Sequence, residues 1–136
     1  LTWGKESQAL SKIPEKSIRW VQEDAQEFLK HSFKKNFTYD GVLADPPSWG
    51  HGAKKELWDF DKHMSVFMDL LHAVMEKNNS FAFLSSHTQG VQQEALKNLF
   101  AQEKRWKSIE CGELGVGHQN DERILPAGIF ARAKSF

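Results

Sequence analysis

With one cysteine, Cys111, the chain cannot carry an internal disulfide framework, and a reducing compartment is the natural reading. Long apolar runs are missing too. No stretch approaches the length of a membrane span and no signal peptide is read at the start, so a cytoplasmic protein without a membrane partner is expected. Charge of neither sign prevails, because 18 Lys and Arg stand against 18 Asp and Glu, and nothing in the composition demands a polyanionic partner. The 136 residues, 40% of them apolar, suffice for one domain with a single core and argue against disorder. Proline is scarce, with four in all, so the two that stand side by side carry information.

Those two are Pro46 and Pro47, in Tyr39-Asp40-Gly41-Val42-Leu43-Ala44-Asp45-Pro46-Pro47-Ser48-Trp49-Gly50. Val42 to Ala44 read as a short buried strand. The prolines must stop it, since neither donates a ladder hydrogen bond and each restricts the residue before it. Asp45 is thereby held extended at the carboxyl edge of a sheet, where open α/β sheets bind their ligands, and a carboxylate on a stiff turn there fits a polar, planar group. An ordinary Asp-Pro turn is the plainer alternative.

Period divides the rest into strands and helices. Trp3, Ala9 and Leu10 have helical spacing with no start signal, so the chain is expected to begin inside a helix. Residues 17–21 (Ser-Ile-Arg-Trp-Val) read as a strand, followed by a helix with Ala25, Phe28, Leu29 and Phe33 on one face. After the strand at 41–44 comes a polar, Gly-rich loop over 48–59. A helix with Met64, Phe67, Met68, Leu71, Val74 and Met75 inward follows, then a strand at 81–84 and a helix with Val91, Ala95, Leu96, Leu99 and Phe100. Three βα units in series predict a parallel sheet. The strands at 106–114 and 129–133, joined without a helix, predict an antiparallel hairpin at its end.

A mostly parallel sheet closing in an antiparallel hairpin is the Rossmann-like arrangement of class I S-adenosylmethionine (SAM)-dependent methyltransferases. Lys5-Glu6-Ser7-Gln8-Ala9-Leu10-Ser11, Ile18-Arg19-Trp20-Val21, Asp24-Ala25, Tyr39-Asp40-Gly41, Asp45-Pro46-Pro47-Ser48, Leu125-Pro126-Ala127-Gly128 and Phe130-Ala131-Arg132 fall in order over nearly the whole chain. Together they resemble the catalytic domain of the bacterial large-subunit ribosomal RNA methyltransferase family. The resemblance implies that residues 1–136 form the C-terminal part of a single methyltransferase domain, that SAM is the cofactor, and that a base of ribosomal RNA accepts the methyl group.

Residue by residue, the resemblance implies that Asp24, with small Ala25 behind it, accepts a hydrogen bond from the adenine amino group. A helix N-cap is the structural alternative for Asp24, and both can hold. Asp45-Pro46-Pro47 matches the motif lining the methyl-transfer site, so Asp45 is expected to touch both cofactor and acceptor. Positioning is its main task, because the donor arrives already activated. Ser48, Trp49, His51 and Ser85 are the expected substrate contacts. The sequence departs from the family in three respects. The glycine-rich cofactor loop and the ribose-binding carboxylate find no match here and are expected upstream, so this stretch alone is expected to be inactive. Ser85-Ser86-His87 stands where cytosine carbon-5 members carry a nucleophilic cysteine, and Cys111 lies in a strand where an inert thiol is the commoner case, so a nitrogen target is favoured. His51 stands where relatives often carry arginine.

Trp49 and Trp58 flank Gly50-His51-Gly52-Ala53-Lys54-Lys55, a pattern able to stack a flipped base while the lysines meet phosphate. Packing over the sheet edge is the other reading, and the preferred one for Trp58. The histidines have no metal-ligand spacing, so no metal is assigned. The alternatives to a ribosomal RNA methyltransferase are a non-catalytic module that binds RNA or protein, or a methyltransferase acting on a small molecule or protein.

Overall fold

The computed structural model describes residues 1–51 and 57–136. In chain order the elements are α1 (Thr2–Leu10), a 3-10 turn (Glu15–Ser17), α2 (Ala25–Lys34), β1 (Gly41–Ala44), β2 (Trp49–His51), β3 (Leu57–Asp59), α3 (Phe60–Ala73), β4 (Phe81–Ser86), α4 (Gln93–Ala101), β5 (Ser108–Gly117) and β6 (Ile124–Lys134). A four-stranded sheet has the order β1-β4-β6-β5, and β2 pairs with β3 in a separate two-stranded ribbon.

The helices form where periodicity and caps agree. α2 starts because Asp24 is extended and its side chain accepts the Glu27 N–H at 3.0 Å, which satisfies one of the orphan donors of the first turn. α3 turns Phe60, Met64, Phe67, Met68 and Leu71 inward, and Val74 and Met75 continue that apolar face past its last turn. These pack with Leu96 and Phe100 of α4 against Ala82 and Leu84 of β4 and Ala131 and Ala133 of β6. Full burial of a side chain such as Leu84 contributes about 1.5–3 kcal/mol, and this cluster holds most of it. The sheet's far end is tied by serines: Ser135 N donates to Ser80 O, and Ser80 N to Ser135 Oγ, both at 2.9 Å.

Several sequence-based expectations need correction. Residues 17–21 form no strand: Ser17 ends the 3-10 turn, and Ile18, although extended, has no ladder beside it. An extended segment becomes a strand only by pairing, and the sheet stops at β1. The sheet is also mixed rather than mostly parallel in its pairing, since β1 with β4 is the one parallel pair while β4–β6 and β5–β6 are antiparallel. β1, β4 and β5 do run in one direction, but β6 threads between β4 and β5 and reverses both pairings. The hairpin therefore does not sit wholly at the edge, because of its two strands β6 is interior and β5 alone lies at the edge. β6 begins at Ile124, not at Ile129, and Pro126 fits inside it because β4 ends opposite Ile129 and needs no donor beyond that point. The stretch 48–59 is not a simple loop, since β2 and β3 pair within it. Residues 52–56, with the phosphate contacts expected of Lys54 and Lys55, lie outside the described residues.

Candidate functional site

The carboxyl ends of β1 and β4 lie side by side because their parallel register, Gly41↔Phe81 through Ala44↔Leu84, brings the following residues together as well. Asp45 and Ser85 are those residues. Ser85 Oγ donates to Asp45 Oδ1 at 2.6 Å, and His87 Nε2 lies 3.9 Å from the same oxygen. Ser85 is buried while Asp45 and His87 face solvent, so the serine fixes one oxygen of an otherwise exposed carboxylate.

The two prolines are pinned from outside the strand. Trp58 Nε1 donates to Pro47 O at 2.6 Å, Phe60 N donates to Ser48 O at 3.1 Å, and Thr88 Oγ1 donates to Ser48 Oγ at 3.0 Å. With the Pro47 carbonyl engaged, the Pro46 carbonyl and Asp45 Oδ2 are the acceptors at the turn with no partner among the described residues. The indole of Trp58 sits edge-on to Phe67 at 6.0 Å and stacks with His63 at 5.7 Å, the packing role preferred for it.

In front of the turn opens a cleft of about 620 Å³, reaching from the start of α2 to β2 and β3. It brings together Asp24, Ala25, Asp45, Pro46, Pro47 and His51 of the expected site, with Phe28, Tyr39 and Leu43 as apolar walls. One Asp24 oxygen caps α2, so the capping reading holds, and the second has no partner among the described residues. The other expected contacts lie elsewhere. Ser48 is turned to Thr88, Ser85 is buried behind Asp45, and Trp49 is exposed with its ring edge-on to His51 at 4.6 Å. The ribbon register pairs Trp49 with Asp59 and Gly50 with Trp58, which puts the two tryptophans on opposite faces. A base held between Trp49 and Trp58 is therefore ruled out by the pleat.

The site includes residues that the motif alone did not mark: His87, Thr88 and Gly128. Their signal was position, as His87 and Thr88 directly follow a strand parallel to β1. Gly128 has φ +95°, and a Cβ there would stand 2.6 Å from Ser86 O and 2.9 Å from His87 Nδ1, so glycine alone lets β6 lie against this turn. Cys111 is remote. It occupies the row Ala44–Leu84–Ala131–Cys111 across the sheet, three strand spacings or about 14 Å from β1.

Close to the cleft, a hydrogen bond from Lys62 holds the Asp59 carboxyl below its ordinary pKa. Away from it, burial pushes the His72 imidazole down, and Trp106 Nε1 donates to its Nε2 at 3.4 Å. Among the described residues no group of three or more His, Cys, Asp or Glu could hold a metal ion, and no helix is long and apolar enough to cross a membrane.

No protein-family profile matches the sequence, and no curated protein matches it. Solved structures do. A SAM-dependent methyltransferase from Agrobacterium tumefaciens is similar with a TM-score of 0.89 and 24% identity, over 99% of this chain and 45% of that one. A protein from Streptococcus mutans assigned as a SAM-dependent methyltransferase has a TM-score of 0.57 and 14% identity, over 83% of this chain and 30% of that one. A precorrin 8w decarboxylase from Methanobacterium thermoautotrophicum has a TM-score of 0.57 and 9% identity, over 97% of this chain and 61% of that one. The chain thus spans less than half the length of the first neighbour. At these identities the likeness establishes the fold, which is that of class I SAM-dependent methyltransferases. The decarboxylase shares it, so the fold does not choose the reaction.

Proposed function

We propose that this chain carries the acceptor half of a SAM-dependent methyltransferase that methylates a base of large-subunit ribosomal RNA. The observation that carries the reading is that Asp24, at the start of α2, and Asp45, at the end of β1, line one cleft beside the Asp-Pro-Pro turn. The residues present fit the adenosine end of the cofactor: an open carboxylate oxygen on Asp24 for an amino group, and apolar Phe28 and Leu43 for a flat ring. When bound, the cofactor supplies an electrophilic methyl on a sulfonium. Asp45, held by Ser85, and the Pro46 carbonyl orient the acceptor's N–H groups so that its lone pair faces that methyl, and the pinned turn keeps this geometry at no cost in the reaction itself. Ribosomal RNA as the acceptor rests on the motif resemblance. The even charge of the chain favours a second reading in which a small molecule or protein is the acceptor.

Calorimetry with SAM and S-adenosylhomocysteine, followed by methyl transfer to unmodified large-subunit ribosomal RNA transcript, tests both levels. Binding with transfer is the expected result. Binding without transfer to RNA moves the substrate to the second reading, and absence of binding to the full-length protein overturns the methyltransferase reading.

A further inference from the structure

Resting on that reading, we infer that His87 is the group that takes the proton of the methyl-accepting nitrogen, with Asp45 stabilising the imidazolium that results. The placement is specific. His87 Nε2, on an exposed side chain, lies 3.9 Å from Asp45 Oδ1, and the hydroxyl of buried Ser85 donates to the same oxygen at 2.6 Å. The exposed imidazole therefore stands beside the carboxylate that lines the cleft. Gly128 approaches from β6 so closely that any Cβ would strike Ser86 O and the His87 ring, which sets the backbone from which the imidazole projects. Among the described residues Asp45 is the one titratable group in recorded contact with His87, and β6 meets it through uncharged Gly128.

The chemistry requires such a group. An N–H acceptor gains a bond to the methyl carbon with its own lone pair, while the C–S pair returns to sulfur. The nitrogen is then left with one proton too many. A carboxylate is a weak base for that proton at neutral pH, whereas a neutral imidazole is suited to it and can return it to water. His87 Nε2 takes it, with the Asp45 carboxylate 3.9 Å away as the ion-pair partner of the imidazolium. The division of labour is that Asp45 orients the acceptor and His87 discharges it. It also restricts the substrate class to acceptors that lose a proton, such as an exocyclic amine or ring N–H, rather than an aromatic carbon needing a covalent adduct.

The test uses the full-length protein with ¹⁵N-labelled histidine, read by NMR, and His87→Gln. Wild type and His87→Gln are expected to bind SAM and S-adenosylhomocysteine with affinities equal within about twofold. The His87 imidazole signals are expected to move further with the cationic SAM than with the neutral product, while those of distant His118 stay put. If both ligands bind and the His87 signals do not respond, the inference falls and the methyltransferase reading stands. If neither ligand binds, the reading falls and the inference with it. With ribosomal RNA transcript as acceptor, His87→Gln is expected to lower kcat on the order of a hundredfold at unchanged KM for SAM, and to lose the rise of kcat with pH on the acid side. Wild-type kcat and pH profile in His87→Gln would overturn the assignment.

Discussion

β4 and β1 are parallel neighbours with opposite surroundings. β4 is flanked on both edges, and its Ala82, Leu84, Ser85 and Ser86 are buried. β1 is paired on one edge only, none of its residues is fully buried, and Leu43 is 76% exposed. One strand lies in the core of the sheet and the other ends in an exposed carboxylate. Asp45 needs both, because its carboxylate stands on the open strand and is fastened by a serine from the closed one.

Four experiments press on this contrast. The largest effect is expected from Leu84→Ala, which leaves a hole under β4 and should cost about 3 kcal/mol in urea unfolding, whereas Leu43→Ala should stay within about 0.5 kcal/mol. Equal costs would erase the distinction between the strands. Next, Asp45→Ala should lower turnover on the order of a hundredfold while SAM affinity changes little, as expected of a group that positions the acceptor. Cys111→Ser, about 14 Å away by the sheet spacing, should leave turnover nearly intact, and the reverse ranking would move the chemistry to the thiol. Third, Asp24→Ala should weaken SAM binding about tenfold by calorimetry, the scale of one lost hydrogen bond. Unchanged affinity with stability lowered by about 1 kcal/mol would leave Asp24 as a helix cap alone.

The smallest effect belongs to the closed side. Burial holds His72 neutral in the folded protein, so its pKa there lies below the ordinary 6.5. As pH falls below that value the unfolded chain binds the proton first. The contribution of this residue is therefore complete above pH 6.5 and is lost as pH drops toward the lower folded value. Urea titrations at stepped pH should show the decline, and His72→Gln should flatten it. The Asp59, Glu110 and Asp121 carboxyls, held down by Lys62, Arg132 and Arg123, add their losses at lower pH.

How much was legible in the sequence follows the same division. The α3 face was legible residue by residue, because helical periodicity is local and every one of Met64, Phe67, Met68, Leu71, Val74 and Met75 is buried. Asp45 at a cleft followed from the rule that ligand groups gather at strand carboxyl ends, whereas Asp24 was marked by the motif resemblance, since no strand precedes it among the described residues. The place of β6 was not legible, since nothing near residues 124–134 says which of two distant strands it will join. Residues 17–21 misled because β-branched and aromatic residues favour an extended chain without supplying the partner that makes a strand. The bond of Ser85 to Asp45 and the place of His87 required the β1–β4 register, which links residues 40 apart.

The strand that fills the sheet's interior is translated after both of its neighbours. During synthesis β4 has emerged with one side satisfied by β1 and the other bare, and β5 follows with no ladder of its own, until Ile124–Lys134 arrives to serve both. The nascent chain must hold that slot open against β4 and β5 closing on each other or on another polypeptide, which makes the interval a window of vulnerability to aggregation and a natural point for a chaperone to act.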